Sequence, residues 1–321
     1  MAETLFGPQR SLAMQARPFL RWAGGKQRWL NANSQFIPKF SGQYIEPFLG
    51  GGSVFFHLAR TEMRPFEAWL GDLNLQLVKT YLKIKNDPER VIDGLASVGA
   101  GYAAASDKRR FYESVRDRFN DSLPKVRPEE FIFLNSTCWN GLWRTNSKGR
   151  FNVPFGSPKS VDILPTPYEI RATSAALQSA RIRATSWETL LGSASPGDFV
   201  FLDPPYFSDH KRRAQAKYGV ETFSLSAHER LADTAAALDR RGVQFVLTNS
   251  AEPELVSMYR SKGLHVHEVR VPRAISSKID ERQAVGEVIV SNALSNDSVD
   301  FSQADPGVLL DLDALKRRRS Q

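Results

Sequence analysis

Cysteine is nearly absent. Cys138 is the only one in 321 residues, which excludes an intrachain disulfide and any cysteine-rich zinc site. The five histidines, His57, His210, His228, His265 and His267, show no metal-binding helix spacing, and His265 and His267 read as alternate positions on a strand. No run is long and apolar enough to cross a bilayer, and Arg10 and Arg17 flank too short a stretch for a signal-like start. No internal repeat is visible. These absences point to a cytosolic-type chain without a metal or a membrane partner, long enough for one large domain or two linked ones.

Charge is present, and unevenly so. The formal net charge of +8 suits an anionic partner, although an ordinary basic soluble protein shows the same excess. Between residues 101 and 159 there are eleven Lys/Arg against six Asp/Glu, so much of the excess sits in one central segment.

Periodicity supplies the frame. Short apolar runs predict strands at 42–48, 67–70, 181–185, 197–202, 243–249, 264–271 and 285–292, and helical spacing marks 75–84, 226–241 and 252–261. A further helix begins near Ser53, which reads as its N-cap. Strands alternating with helices predict an α/β fold with a doubly wound, mostly parallel sheet. The last two strands leave no room for a helix between them and predict an antiparallel edge hairpin. From 87 to about 159 the pattern becomes helical, basic and aromatic, broken by a polar, glycine-containing loop, and reads as an inserted helical domain. The expected division is therefore a catalytic domain of 17–86 and 160–293, an insert of 87–159, and flexible tails at 1–16 and 294–321. The last tail ends in Lys316-Arg317-Arg318-Arg319.

The strand at 197–202 runs into Asp203-Pro204-Pro205-Tyr206. Ligands of open α/β sheets bind at the carboxyl ends of strands. Two prolines stiffen the backbone there and cannot extend a helix or a ladder. Asp203 offers an acceptor for one N–H, the Pro204 carbonyl an acceptor for a second, and Tyr206 a flat face for a ring. An aromatic amine is a poor nucleophile because its lone pair is delocalised, and two acceptors would localise it. A proline-rich turn capped by a tyrosine is the plainer reading of the same four residues.

Glu46-Pro47-Phe48-Leu49-Gly50-Gly51-Gly52-Ser53 joins a strand to a helix. The loop lacks the third glycine of G-x-G-x-x-G, and Glu46 would repel a pyrophosphate, which disfavours a dinucleotide-dependent oxidoreductase. A cofactor with ammonium and ribose but no phosphate fits better, and S-adenosylmethionine has that make-up. A tight turn alone explains the glycines equally well. Asp72, about 20 residues on, stands where a carboxylate reaches ribose hydroxyls, or else caps the helix starting near Asn74. Trp22-Ala23-Gly24-Gly25-Lys26 adds an aromatic face and a cation, or simply packs Trp22 in the core.

In this order the blocks resemble the Dam-type DNA adenine methyltransferases, with the pattern extending from about residue 17 to 292. The same family is matched by Phe111-Tyr112-Glu113 with Arg116 and Phe119-Asn120, and by Asn140-Gly141-Leu142-Trp143-Arg144-Thr145-Asn146. Gly149-Arg150-Phe151-Asn152-Val153-Pro154-Phe155-Gly156 and Arg273-Ala274-Ile275-Ser276-Ser277 also match it. The resemblance implies a Rossmann-like fold and transfer of a methyl group from S-adenosylmethionine to N6 of an adenine flipped out of duplex DNA, with GATC as the target. It implies catalytic roles for Asp203, Pro204, Pro205 and Tyr206. Cofactor contacts would come from Trp22, Lys26, Glu46, Phe48, Gly50, Gly52, Asp72 and Asp203. It makes Arg144 a reader of guanine, Leu142 and Pro154 contacts to a thymine methyl, and Trp139 with its neighbour Asn140 an insertion into the base stack. Arg116, Asn146 and Lys148 are further candidates for DNA contacts. A cognate restriction endonuclease is a candidate partner, and a bacterial or phage cytoplasm, at the nucleoid, the implied location.

The chain departs from the family pattern at two places. Trp139 stands where tyrosine or phenylalanine is common, and Lys278-Ile279-Asp280-Glu281-Arg282 stands where a more glycine-rich or basic loop is expected. The stretch 207–220, with Lys211, Arg212, Arg213 and Lys217, reads as a mobile loop that orders over substrate. Within the insert, pairing of Arg144 with a carboxylate, burial of Trp139 and a plain hairpin remain open alternatives. A non-catalytic DNA-binding regulator and an RNA or protein-amide methyltransferase share much of the pattern.

Overall fold

The computed structural model describes residues 7–158, 160, 163–207, 223–271 and 285–293. The expected loop beyond Phe207, the blocks Arg273-Ala274-Ile275-Ser276-Ser277 and Lys278-Ile279-Asp280-Glu281-Arg282, and the tail with Lys316-Arg317-Arg318-Arg319 lie outside the described residues. The described residues hold seven strands, β1 (Tyr44–Glu46), β2 (Ala68–Asp72), β3 (Ala180–Ala184), β4 (Phe199–Leu202), β5 (Gln244–Ser250), β6 (Val266–Val271) and β7 (Val285–Ser291). They follow the order β3-β2-β1-β4-β5-β7-β6 in a mostly parallel sheet within a mixed α/β fold. Two compact units divide the chain, 1–30 with 44–193 and 31–43 with 194–321.

In the first unit, β1 pairs in parallel with β2 and β2 with β3, in the register Tyr44↔Ala68 and Ala68↔Ala180. All three residues of β1 are buried, as expected of a parallel strand covered on both faces. Helix α1 spans Pro8–Ala13, α2 Gln27–Asn33, α3 Ser53–Thr61, α4 Leu75–Asn86, α5 Pro88–Ala104, α6 Lys108–Ser122, α7 Pro128–Thr137, α8 Pro167–Leu177 and α9 Trp187–Leu191. Helix α7 is buried on nearly every side, so Phe131 and Phe133 find partners all around it. The ring of Phe133 lies 5.3 Å from Tyr102 and 5.8 Å from Phe111.

In the second unit, β4 runs parallel to β5 with Phe199 opposite Gln244. Helices α10 (Leu225–Arg240) and α11 (Pro253–Ser261) follow in the chain order of a crossover unit. Strand β7 is antiparallel to both β5 and β6, with Thr248 opposite Ile289 and His267 opposite the same residue. The expected antiparallel hairpin is therefore present, with its second strand next to β5.

Three local expectations need correction. Residues 8–13, expected to fray, form α1. Arg10 donates to the Glu62 carbonyl at 2.6 Å, and Ala13 and Ala16 are buried, so tertiary contacts hold a helix too short to persist alone. Ser53 is the first helical residue and not the N-cap; Gly52 caps α3 in the left-handed region at φ +67. Asn74, not Asp72, caps α4, its side-chain oxygen accepting from the amides of Gln76 and Leu77 at 3.0 and 3.1 Å. No helix among the described residues is long and apolar enough to cross a membrane.

Candidate active site

The glycine turn follows β1 in the first unit. Gly50 has φ +47 and Gly52 φ +67, conformations that L side chains rarely adopt. Sterics select glycine a second time. A Cβ on Gly50 would lie 2.7 Å from Cδ1 of Trp22, one on Gly51 would lie 3.1 Å from the Trp22 Cβ, and one on Gly52 3.0 Å from Phe56. The half-buried Trp22 thus occupies the space that side chains on Gly50 and Gly51 would need, and Phe56 that of Gly52. Both main-chain groups of Gly50 are held: its N–H donates to Asp72 Oδ2 at 3.0 Å, and its carbonyl accepts from Tyr81 Oη at 3.1 Å.

The other Asp72 oxygen accepts the Asn74 N–H at 2.8 Å. Burial raises the pKa of Asp72, and the amides of Asn74 and Gly50 work against that rise. Glu46 is buried and turns inward, its Oε2 accepting from Tyr44 Oη at 2.9 Å and from the Phe55 amide at 3.2 Å. That places a carboxylate on an otherwise orphaned N–H in the first turn of α3. Lys26 is buried and its Nζ donates to the Gly24 carbonyl at 3.1 Å, while Phe48 is half-buried. Trp22, Glu46, Gly50, Gly52 and Asp72 therefore cluster around one turn.

The Asp203–Tyr206 turn leaves β4 in the second unit, and the next strand holds it along its length. Three consecutive residues of β5 do so. Thr248 Oγ1 donates to Asp203 Oδ1 at 2.8 Å, Asn249 Oδ1 accepts the Phe207 amide at 3.2 Å, and Ser250 Oγ donates to the Phe207 carbonyl at 2.6 Å. From β7, Glu287 Oε2 accepts the Tyr206 hydroxyl at 3.3 Å. Pro204 is buried, Pro205 exposed, and Asp203 and Tyr206 half-buried. Burial first, then the negative charge of Asp203 and Glu287, drives the Tyr206 pKa far upward, so its phenol stays neutral.

In the first unit, the polar loop of the insert is a short hairpin with bridges Cys138↔Phe155 and Thr145↔Phe151. Trp139 N–H donates to the Pro154 carbonyl at 2.9 Å, and Asn152 N–H to the Arg144 carbonyl at 3.1 Å. Asn120 clamps the hairpin from α6, accepting the Phe151 amide at 2.8 Å and donating to its carbonyl at 3.0 Å, while Tyr112 Oη reaches the Val153 carbonyl at 2.8 Å. Trp143 anchors it against Phe131 and Phe151, at 3.9 and 4.4 Å between centroids.

That anchoring leaves other side chains outward. Trp139 is 54% exposed, which rules out its burial in the core, and Leu142 is 40% exposed. Asn140 is exposed at φ 53. The Arg144 guanidinium bonds Asn152 at Oδ1 and at the carbonyl, 2.9 and 3.4 Å, and has no carboxylate partner among the described residues. Asn146 spends its oxygen on the turn, accepting from the amides of Lys148 and Arg150. Lys148 and Pro154 are exposed, and Arg116, half-buried on α6, lies 3.6 Å from Asp117.

A clasp ties this hairpin to the stretch before the glycine turn. Asn135 accepts the Arg21 amide at 2.9 Å and donates to the Arg21 carbonyl at 2.8 Å and the Gly141 carbonyl at 3.3 Å. Next to it, Trp22 and Trp143 stack at 6.4 Å with their planes 17° apart.

Sequence reasoning missed Thr248, Asn249, Ser250, Glu287 and Asn135. A usable signal existed for the first three, since a polar Thr-Asn-Ser run ends an apolar strand parallel to β4, at the edge where such sheets bind ligands. Asn135 and Glu287 carried none. Among the described residues, no group of three His, Cys, Asp or Glu is placed to hold a metal ion.

A family model for D12 class N6 adenine-specific DNA methyltransferases matches residues 22–275. The type II methyltransferase M.MjaIII of Methanocaldococcus jannaschii is 34% identical over 87% of this chain and 100% of its own length. The DNA adenine methylases of Vibrio cholerae O395 and Escherichia coli K12 are each 30% identical over 85% of this chain, covering 95% and 94% of their own lengths. The glycine turn, the Asp-Pro-Pro-Tyr turn and the basic hairpin all fall inside the matched span, and the chain belongs to the D12 class of N6 adenine-specific DNA methyltransferases.

Proposed function

We propose that this adenine-specific DNA methyltransferase takes its methyl group from S-adenosylmethionine and places it on an adenine rotated out of a duplex GATC site. The observation that carries this reading is the catalytic turn, with Asp203 pinned by Thr248 and Tyr206 by Glu287. A carboxylate held in one rotamer and the free carbonyl of a proline present two acceptors to one amino group. They localise its lone pair on nitrogen, and Tyr206 offers a neutral ring for stacking. Asp203 need not be a strong base, because the amino nitrogen becomes acidic as the new bond forms. Rotating the base out costs a few kcal/mol of stacking and pairing.

The residues present fit the donor. Each Asp72 oxygen accepts one backbone N–H, and a carboxylate has about four lone-pair positions, so acceptor capacity remains for ribose hydroxyls. When bound, the donor supplies a methyl already activated on a sulfonium, and no covalent enzyme intermediate is required. Trp22 supplies an aromatic wall and Lys26, Glu46, Phe48, Gly50 and Gly52 complete the lining in this reading.

In the same reading 17–86 and 160–293 form the catalytic domain and 87–159 reads the target. Arg144 contacts guanine, Leu142 and Pro154 a thymine methyl, and Trp139 with Asn140 enters the stack. Arg116, Asn146 and Lys148 make further DNA contacts. The exposure of Trp139 and Leu142 on a braced hairpin supports this. In this reading the protein works in the cytoplasm on the nucleoid, and a cognate restriction endonuclease is a candidate partner, in line with the type II name of the Methanocaldococcus jannaschii relative.

Methylation of random-sequence DNA with base-resolution detection of the modified purine tests the target directly. N6-methyladenine confined to GATC is the expected result, and another sequence context overturns that part. Asp203→Ala abolishes turnover and leaves duplex binding largely intact; near-normal activity in that variant refutes the catalytic assignment.

A further inference from the structure

Behind the catalytic turn lies a buried histidine that no step above uses. His228, on α10, is fully buried. The rings of Phe207 and Phe223 meet its imidazole nearly edge-on, at 5.7 and 4.7 Å between centroids. Its Nδ1 lies 3.3 Å from Asn249 Nδ2, and the same amide nitrogen lies 3.3 Å from Tyr259 Oη.

The polarity of this chain of bonds follows from its far end. Main-chain N–H groups can only donate, and Asn249 meets two of them, Phe207 N at 3.2 Å and Ser250 N at 2.9 Å, with one atom. That atom must be its carbonyl oxygen. The amide nitrogen therefore faces His228 and has only hydrogens to give, so Nδ1 must be a bare lone pair. The ring is neutral with its proton on Nε2. Burial favours the same neutral form, holding the imidazole down at about 4. Nε2 meets no hydrogen-bond partner among the described residues, a cost the fold accepts to keep the ring in this place.

We infer that His228 is a positioning residue for methyl transfer: its Nδ1 lone pair holds the Asn249 amide in the one orientation that fixes Phe207, and through Phe207 the end of the Asp203–Tyr206 turn. A flipped Asn249 would set its NH2 against the Phe207 N–H and release that end. The inference rests on the reading of this turn as the catalytic clamp.

Two measurements test it on the full-length enzyme. Nitrogen-15 NMR of the unmodified protein reports the tautomer, with Nε2 protonated and Nδ1 bare at neutral pH as the expected result. A proton on Nδ1 overturns the inference without any substitution. In parallel, His228→Leu removes the acceptor, and His228→Asn can return one close to the Nδ1 position. The Leu variant should lose at least about tenfold in kcat with KM for duplex DNA changed by less than about twofold, and the Asn variant should recover most of the loss. Full kcat in the Leu variant, or equal loss in both, overturns it. If Asp203→Ala is inactive while His228→Leu is fully active, only this inference falls. If Asp203→Ala stays active, the clamp reading itself falls, whatever His228 does.

Discussion

The glycine turn after β1 and the proline turn after β4 are both tight, both follow a buried parallel strand, and are held by opposite means. The first is shaped by exclusion. Gly50 and Gly52 sit at positive φ, and the Trp22 indole fills the volume a side chain on Gly50 would need, as the Phe56 ring does for Gly52. The second is shaped by attachment. Its prolines limit the backbone, and Thr248, Asn249, Ser250 and Glu287 each hold one of its polar groups. A turn made by exclusion carries its own signature in its residues. A turn made by attachment depends on strands that come later in the chain.

The two turns should also fail differently. The largest effect on turnover is expected from the proline turn. Thr248→Val keeps the volume and deletes the hydrogen bond to Asp203, worth about 1.5–3 kcal/mol for a bond to a charged acceptor. If that falls on the transition state, kcat drops by roughly 10- to 100-fold with little change in KM. Thr248→Ser should restore it, and a Thr248→Val enzyme of normal kcat would break the comparison.

Gly50→Val attacks the other turn. A β-branched residue at φ +47 costs roughly 1–3 kcal/mol, and the clash with Trp22 adds a similar amount. The expected result is a melting temperature several degrees lower together with weaker donor binding by calorimetry. A loss of kcat with unchanged donor affinity would contradict this difference between the two turns.

Acidification sharpens the contrast through two buried groups. His228 is held down at about 4 by burial, against an ordinary value near 6.5. Below the ordinary value the unfolded chain binds a proton that the folded chain does not. Stability should therefore fall between pH 6.5 and 4, by at most about 3 kcal/mol for the full shift. Asp72 works the other way: burial raises its pKa above the ordinary carboxylate value, so the folded state gains a proton first and stability rises as pH falls through the folded-state titration of that group. Unfolding curves of the wild type and His228→Asn across this range separate the two, with the loss above pH 5 absent from the variant.

The smallest effects belong to the hairpin. Asn120→Ala removes two bonds to Phe151 and should cost about 1–3 kcal/mol of stability. Arg144→Ala should leave stability within about 0.5 kcal/mol, since the side chain is exposed, yet relax discrimination at one base pair by about 1–3 kcal/mol. Competition between sites altered at single positions measures it.

Legibility follows the range of the interaction. The strands at 68–72, 180–184 and 244–250 fall within two residues of the apolar runs that predicted them, because burial on both faces writes itself into composition. The helix caps at Gly52 and Asn74 were misplaced by one or two residues, because a carboxylate from β1 serves the start of α3 and Asp72 turns to Gly50. Helix α1 was missed because six residues have too little period to register, and its stability comes from Arg10 on Glu62 and from buried alanines.

Composition and local pattern alone determined the alternation of strands and helices, the glycine and proline turns at strand ends, and the basic aromatic insert. Each depends on backbone conformation or burial within a few residues, and those preferences belong to the side chains themselves. Only the folded arrangement decided which groups serve those turns: Thr248 and Asn249 for Asp203 and Phe207, Asn135 for Arg21, Asn120 for Phe151. These pairs lie 31 to 114 residues apart, and a hydrogen bond is directional over about 3 Å, so no local pattern announces its partner.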